Sequence, residues 1–352
     1  MTDEIIFERN GPWGIITLNR PDALNALTWP MVEAFRKQLM AWEAENAVKA
    51  VLVQGAGDRA FCAGGDIRWL HEEAKKDPQQ ASEFFREEYR NNAAIYHFPK
   101  PYVALIDGIV MGGGVGVSVH GDFRVAGDKT MFAMPETGIG LFPDVGGGHF
   151  MPRLHDGLGL YYALTGARAG AADCMAAGIA THYVTSDRNS DLVAALLAVE
   201  FGTHPHADIE AVLDDFADDP GEAEINMRRP IVAAAFQGRE SVGEIIDALR
   251  ATGGDIADDV ARTIMRMSPT SLKLTLEQMR RGHELDFDDV MRMEFRMVCR
   301  VMIGKDFFEG VRAQIIDKDR KPAWSPASLQ EVGEADIEAY FASLGDRELT
   351  LP

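Results

Sequence analysis

Two carboxylates, Glu136 and Asp144, lie in the run Met134-Pro135-Glu136-Thr137-Gly138-Ile139-Gly140-Leu141-Phe142-Pro143-Asp144-Val145-Gly146-Gly147-Gly148, otherwise almost all apolar, Gly or Pro. An ionised carboxylate is costly to bury, so acids in such company tend to be kept for chemistry. Upstream, Met111-Gly112-Gly113-Gly114-Val115-Gly116 follows the apolar strand Val103-Ala104-Leu105-Ile106. A strand feeding a glycine-rich helix start offers bare backbone N–H groups where negative charge is stabilised. A third segment, Phe61-Cys62-Ala63-Gly64-Gly65-Asp66-Ile67, sets two glycines between strand and helix, with Asp66 suited to cap that helix. Alone, such a loop reads first as a tight turn with an N-cap. Two of them with two acids downstream predict converging amide donors around an oxyanion, since an oxyanion hole draws donors from separate segments.

Other motifs carry less. Gly55-Ala56-Gly57-Asp58-Arg59-Ala60 fits a dinucleotide fingerprint after a strand, but Gly64-Gly65 would interrupt the helix that the motif must open. Gly116-Val117-Ser118-Val119-His120 resembles a nucleophile elbow with His120 where the second glycine is required, so Ser118 reads as an ordinary helix residue. His120, His149 and His155 lack metal-ligand spacing, and no metal site is expected. Met291, Met293, Met297 and Met302 read as the packed side of a helix.

The elements that must position these residues follow from hydrophobic patterning. Asn10-Gly11-Pro12 between two apolar runs predicts a hairpin, and Met31, Phe35, Leu39 and Trp42 recur at helical spacing after Pro30. Ala50 to Gln54 and Val103 to Ile106 are continuous apolar strands, with short strands expected at Phe123–Ala126 and Met131–Ala133. Asp66 to about His97 reads as helix, as does the short stretch from Gly114 to Val119. Strands that are apolar throughout, alternating with helices, predict an α/β fold with a largely parallel sheet. Beyond about residue 155 the pattern is helical. An α/β core over residues 1–200 carrying the site, and a helical C-terminal region over 201–352, are expected.

At 352 residues, 46% of them hydrophobic, the chain has ample core for one large domain or two modest ones. Thirty-five basic against 55 acidic residues, a net charge of −20, argue against nucleic acid or an anionic membrane as partner. No apolar run is long enough to span a bilayer. The acidic start, Met1-Thr2-Asp3-Glu4, has neither the apolar core of a signal peptide nor the arginines of a transit peptide, and three scattered cysteines imply no disulfide framework, so a cytoplasmic protein is expected. Six acids without a Lys or Arg between residues 201 and 220 read as a solvated face.

With those residues in view, the chain resembles the crotonase (enoyl-CoA hydratase/isomerase) superfamily from about residue 5 to about residue 325. Phe61 to Ile67 is similar to its first oxyanion-hole loop and Gly112-Gly113-Gly114 to its second. The resemblance implies that the amides of Gly65 and Gly113 bind the thioester oxygen of an acyl-CoA, with Ala63, Gly64 and Ile67 along the path of the CoA moiety. It implies a spiral of β-β-α units, a helical C-terminal region that covers the site or mediates trimer-based self-association, and no cofactor, CoA being part of the substrate. Hydratases of the superfamily carry a glutamate two residues after the triple glycine, where this chain has Gly116. Glu136 matches their second glutamate, and Asp144 stands where glycine is usual. That combination is similar to the 3-hydroxyisobutyryl-CoA hydrolase branch, as are Phe84-Phe85-Arg86-Glu87-Glu88-Tyr89 and Phe308-Glu309-Gly310-Val311-Arg312-Ala313. The implied activity is hydrolysis of a short β-hydroxyacyl-CoA in valine breakdown, with Glu136 and Asp144 catalytic and Glu88 facing the substrate hydroxyl, although its charged helix alone reads equally as a solvated surface. The alternatives are an enoyl-CoA hydratase or isomerase on the same oxyanion hole, and a degenerate acyl-CoA-binding scaffold, against which the intact Gly65, Gly113, Glu136 and Asp144 argue.

Overall fold

Gly11 takes a backbone φ of +54°, a conformation that costs glycine little, and so turns the chain between β1 (Ile5–Asn10) and β2 (Trp13–Leu18). The two strands pair antiparallel with Asn10 opposite Trp13, the hairpin expected there. In the computed structural model, which describes residues 3–351, α1 (Trp29–Ala44) follows and buries Met31, Phe35, Leu39 and Trp42. The chain then repeats one step: a strand in a large sheet, a short strand in a small sheet, and a helix or turn. β3 (Ala50–Gly55) and β4 (Ala60–Cys62) precede α2 (Ile67–Lys76) and α3 (Pro78–Tyr96). β5 (Tyr102–Leu105) and β6 (Ile109–Met111) precede α4 (Gly113–Gly116). β7 (Phe123–Ala126) and β8 (Met131–Ala133) precede the turn that carries Glu136.

The large sheet runs β1-β2-β3-β5-β7-β9, closed by β9 (His182–Tyr183), and is parallel from β2 onward. The small sheet, β4-β6-β8, is parallel throughout. Along β3, Val51 and Val53 join the main core while Ala50 and Leu52 join a second cluster with Trp13, Leu192 and Leu213. Both faces of the strand are covered from Ala50 to Val53, which is why those four positions are all apolar.

Three features depart from the sequence expectation. Asp66 to His97 is two helices, because Pro78 opens a new one and the Asp77 side chain accepts from the N–H groups of Gln79 and Gln80 at 3.0 and 3.1 Å. β4, β6 and β9 are too short to show any periodicity in the sequence. The short glycine-rich helix covers Gly113–Gly116 and ends before Ser118, whose hydroxyl donates back to the carbonyls of Gly114 and Val115.

Beyond β8, helices dominate: α5 (Gly147–Phe150), α6 (Leu158–Thr165), α7 (Ala171–Ala177) and α8 (Asn189–Leu197). α9 (Pro205–Phe216) carries much of the acidic run on a largely exposed surface and buries Ile209 and Leu213. Then come α10 (Ile225–Phe236), α11 (Val242–Thr252), α12 (Asp255–Ile264), α13 (Pro269–Glu284), α14 (Phe287–Val301), α15 (Lys305–Val311) and α16 (Glu334–Phe341). α13 and α14 are capped by Ser268 and Asp286, which accept from the N–H groups of Ser271 and Asp289 at 3.0 and 2.8 Å. α14 packs on α3 and turns Met291, Met293 and Met297 inward. One apolar cluster reaches from Ile5 through Phe295 to Leu349, so the helical region shares the core of the strands.

Candidate active site

β4, β6 and β8 run parallel, so their C-terminal ends open in one place, and the loops leaving all three line a single cavity of about 720 Å³. β4 delivers Ala63, Gly64 and Gly65, with Ile67 just beyond. β6 delivers Gly113, and β8 leads to Glu136. α3 adds Glu88 from one side, and the loop after Pro143 adds Asp144. Every site residue named from the sequence therefore faces this one cavity.

The two glycine loops meet there. Gly64 takes a φ of +107°, which only glycine adopts without strain. Leu27 donates to the Gly64 carbonyl at 2.8 Å and accepts from the Asp66 N–H at 2.9 Å. The intervening Gly65 N–H is left without an acceptor among the described residues. Gly113 is the first residue of α4, so its N–H has no partner within the helix. A Cβ built on Gly113 would lie 3.3 Å from the Gly65 nitrogen, and one on Gly64 would lie 3.5 Å from the Gly113 nitrogen. Two free amides from separate segments thus stand side by side.

Three acids face them. Glu88, Glu136 and Asp144 are all at most 5% exposed. Burial, and then the neighbouring charges of Asp144 and Glu136, push the Glu88 carboxyl well above its ordinary range. Burial and Asp144 do the same to Glu136. Burial raises Asp144 to about 7, opposed by the Tyr89 hydroxyl, which donates to Asp144 Oδ2 at 2.8 Å. Glu88 Oε1 and Glu136 Oε2 have no partner among the described residues. A Cβ on Gly112 would come within 3.2 Å of Glu136 Oε1, and one on Gly113 would strike Glu88 Oε1. Both glutamates therefore sit against the second glycine loop. Three buried acids this close cannot all be ionised, so the cluster titrates as a unit.

The loop carrying Asp144 is held from several sides. Gln278 of α13 donates to the Pro143 carbonyl at 2.7 Å, and His120 Nε2 bonds the Val145 carbonyl at 2.6 Å. Glu294 of α14 accepts from the N–H groups of Gly146 and Gly148, both at 2.8 Å. Burial pushes the Glu294 carboxyl up to about 8, against those two bonds. Val145 is held at a φ of +51°, costly for a β-branched residue, so the loop is fixed by its surroundings. Position 116 is closed by this arrangement: a Cβ there would fall 2.6 Å from Asn92 Nδ2 and 2.7 Å from Val145 Cβ.

Sequence reasoning gave no role to Tyr89, Asn92, Gln278 or Glu294. Glu294 carried a usable signal, a lone acid among the apolar residues Met291, Met293 and Phe295. Gln278 and Asn92 carried none, since a buried amide looks like any surface amide in a helix. The G-x-G-x-x-A stretch leads into β4 rather than a helix. His120 and His149 belong to an aromatic cluster with Tyr96 and Phe287. No group of three or more His, Cys, Asp or Glu among the described residues is arranged to hold a metal ion.

A sheet whose strand ends present two free amides to a set of buried acids defines a class, and the family model of enoyl-CoA hydratase/isomerase matches residues 13–341. The chain belongs to the enoyl-CoA hydratase/isomerase family. Within it, the chain is 48% identical to the mitochondrial 3-hydroxyisobutyryl-CoA hydrolase of Xenopus laevis, over 98% of this chain and 90% of that one. It is 46% identical to the mitochondrial 3-hydroxyisobutyryl-CoA hydrolase of Homo sapiens, over 99% and 90%. The crystal structure of a carnitinyl-CoA dehydratase from Mycobacterium thermoresistibile superposes with a TM-score of 0.92 at 42% identity, covering 99% of each chain. The expectation of a cytoplasmic protein is corrected by these relatives, which are named as mitochondrial. That expectation rested on the composition of Met1–Glu4 and on three scattered cysteines, neither of which specifies a compartment.

Proposed function

We propose that this protein hydrolyses the thioester of a short β-hydroxyacyl-CoA, 3-hydroxyisobutyryl-CoA in the first place, releasing CoA and the free hydroxy acid. One observation carries the choice over hydration: the place of a second acid at position 116 is filled by Val145 and Asn92, while Asp144 faces the cavity instead. The relatives named as hydrolases support the same choice, and a scaffold would have no use for three buried acids beside two free amides.

In this reading the Gly65 and Gly113 amides hold the thioester oxygen as it gains negative charge. Ala63, Gly64 and Ile67 guide the CoA arm. Glu88, whose carboxyl is pushed well above its ordinary range by burial and by the neighbouring acids, donates to the β-hydroxyl of the substrate. Glu136 acts on the carbonyl carbon by one of two routes. As nucleophile it forms a mixed anhydride while the C–S bond breaks and CoA leaves as the thiolate; water then opens the anhydride, restoring the Glu136 carboxylate, and the proton released goes to the thiolate. As base it takes a proton from the attacking water and passes it to the departing sulfur. Either route needs Glu136 ionised. In the empty site the first charge settles on Asp144, because Tyr89 donates to it. Attack therefore waits until Glu136 has given up its own proton to solvent, while Asp144, held by the Tyr89 hydroxyl, orients the water.

No oxidation state changes, so the reaction calls for water and no redox cofactor. A place in valine breakdown follows from the substrate, and trimer-based self-association, resting on the family resemblance, is tested by light scattering. The activity is tested by CoA release from 3-hydroxyisobutyryl-CoA, 3-hydroxybutyryl-CoA, isobutyryl-CoA and crotonyl-CoA. The hydroxyacyl substrates should give the highest kcat/KM. Water addition to crotonyl-CoA without CoA release from any of them would overturn the reading.

A further inference from the structure

Asp144 is the one residue between Pro143 and Gly146 whose polar side chain faces the cavity, while the backbone around it is gripped from behind. Pro143 O is held by Gln278, Val145 O by His120, and the N–H groups of Gly146 and Gly148 by the two oxygens of Glu294. Gln278 Nε2 also donates to Glu294 Oε1 at 3.0 Å, which joins α13 and α14 behind the loop. Glu294 is fully buried and lines no part of the cavity, so it does not touch the substrate. Its two oxygens, each accepting a backbone N–H two residues apart, match a chain that must reverse through Val145 and Gly146, both at positive φ. A buried acid is expensive to keep in a core. A packing role would be met by the apolar residues that surround it on α14.

We infer that Glu294, with Gln278, is a positioning pair for the hydrolysis: it fixes the strained Pro143–Gly148 loop so that Asp144 meets the thioester. This rests on the reading of Asp144 as a catalytic acid. It also gives α13 and α14 a part in turnover within one chain, whatever the chain assembles into.

The test is a double-variant cycle on the full-length protein. In Glu294→Gln the side chain keeps its size but offers one accepting oxygen in place of two, so one loop N–H loses its acceptor. kcat should fall about 10- to 100-fold, the usual cost of losing a group that orients a reactive side chain. KM should stay within about threefold, since CoA binding is untouched. In an Asp144→Asn background, the same substitution should cost less than about twofold, because the group it positions is already lost. A merely structural role would multiply the two losses. Multiplied losses, or a wild-type kcat in Glu294→Gln, would overturn the inference. If Glu294→Gln does not fold, as read by circular dichroism, Gln278→Met carries the same cycle with the same expected pattern. Full activity in Asp144→Asn alone would instead sink the catalytic reading of Asp144, and the inference with it. The two failures are thus distinguishable.

Discussion

Tyr89 donates its hydroxyl proton to Asp144 Oδ2 at 2.8 Å, with both residues buried. Glu88, its neighbour on α3, faces the same cavity with Oε1 free of any partner among the described residues. Adjacent residues on a helix point about 100° apart. One helix therefore serves two acids differently: it presents one to the substrate and supports the other.

Tyr89→Phe tests the support. The hydroxyl lowers an Asp144 carboxyl that burial has raised to about 7. Removing it raises that carboxyl further, so activity carried by the ionised form needs a higher pH. The acidic limb of kcat against pH should move to higher pH in the variant. A limb that stays in place would show that Asp144 does not govern it.

Glu88→Met keeps the side-chain length and removes both oxygens. The preference for 3-hydroxyisobutyryl-CoA over isobutyryl-CoA, as a ratio of kcat/KM, should fall about 10- to 100-fold with the lost hydrogen bond. Stability should change with pH as well. The folded protein holds the Glu88 proton more tightly than the unfolded chain does, because the folded carboxyl is raised. Its burial thus costs stability only as pH rises above the unfolded value of about 4.3. The gain in melting temperature of the variant should be larger at about pH 8 than at about pH 4. An equal gain at both pH values would mean that Glu88 has no raised pKa.

Glu136→Gln should cut hydrolysis about 10²- to 10⁴-fold and leave acyl-CoA binding largely intact. Single turnover of the unaltered enzyme in heavy-oxygen water separates the two routes. Label in the Glu136 carboxylate means an anhydride, and label in the acid product alone means base catalysis. Full activity in Glu136→Gln would remove both.

Gly113→Ala adds the smallest possible side chain to the second loop. Its Cβ would strike Glu88 Oε1 and come within 3.1 Å of Leu27 Cδ1, beside the Gly65 amide. Displacing one amide donor should lower turnover about 10²- to 10³-fold in a folded protein. Normal turnover in a folded variant would place the oxyanion elsewhere.

The site was legible in the sequence where local chemistry departed from its surroundings. Glu136 and Asp144 stood out from their apolar run, and Gly64-Gly65 and Gly112-Gly113 from the strands before them. The hairpin at Gly11 and α1 were legible because turn residues and helical spacing mark them. The small sheet was only partly so, since β4 and β6 are three residues long and owe their existence to pairing across the chain. The Tyr89–Asp144 bond joins residues 55 apart, and the Gly146–Glu294 bond residues 148 apart. No local pattern encodes such pairings.

The closure of position 116 bears on how one chemistry could turn into the other over generations. A chain with Gly116, Asn92 and Val145 cannot take a glutamate at 116 by one codon change without displacing Asn92 and Val145. The new side chain would collide with α3 and with the loop that holds Asp144. The intermediate would lose the acid it has before it could use the one it gained. Water addition and thioester cleavage are separated here by a valley that several coordinated substitutions would have to cross.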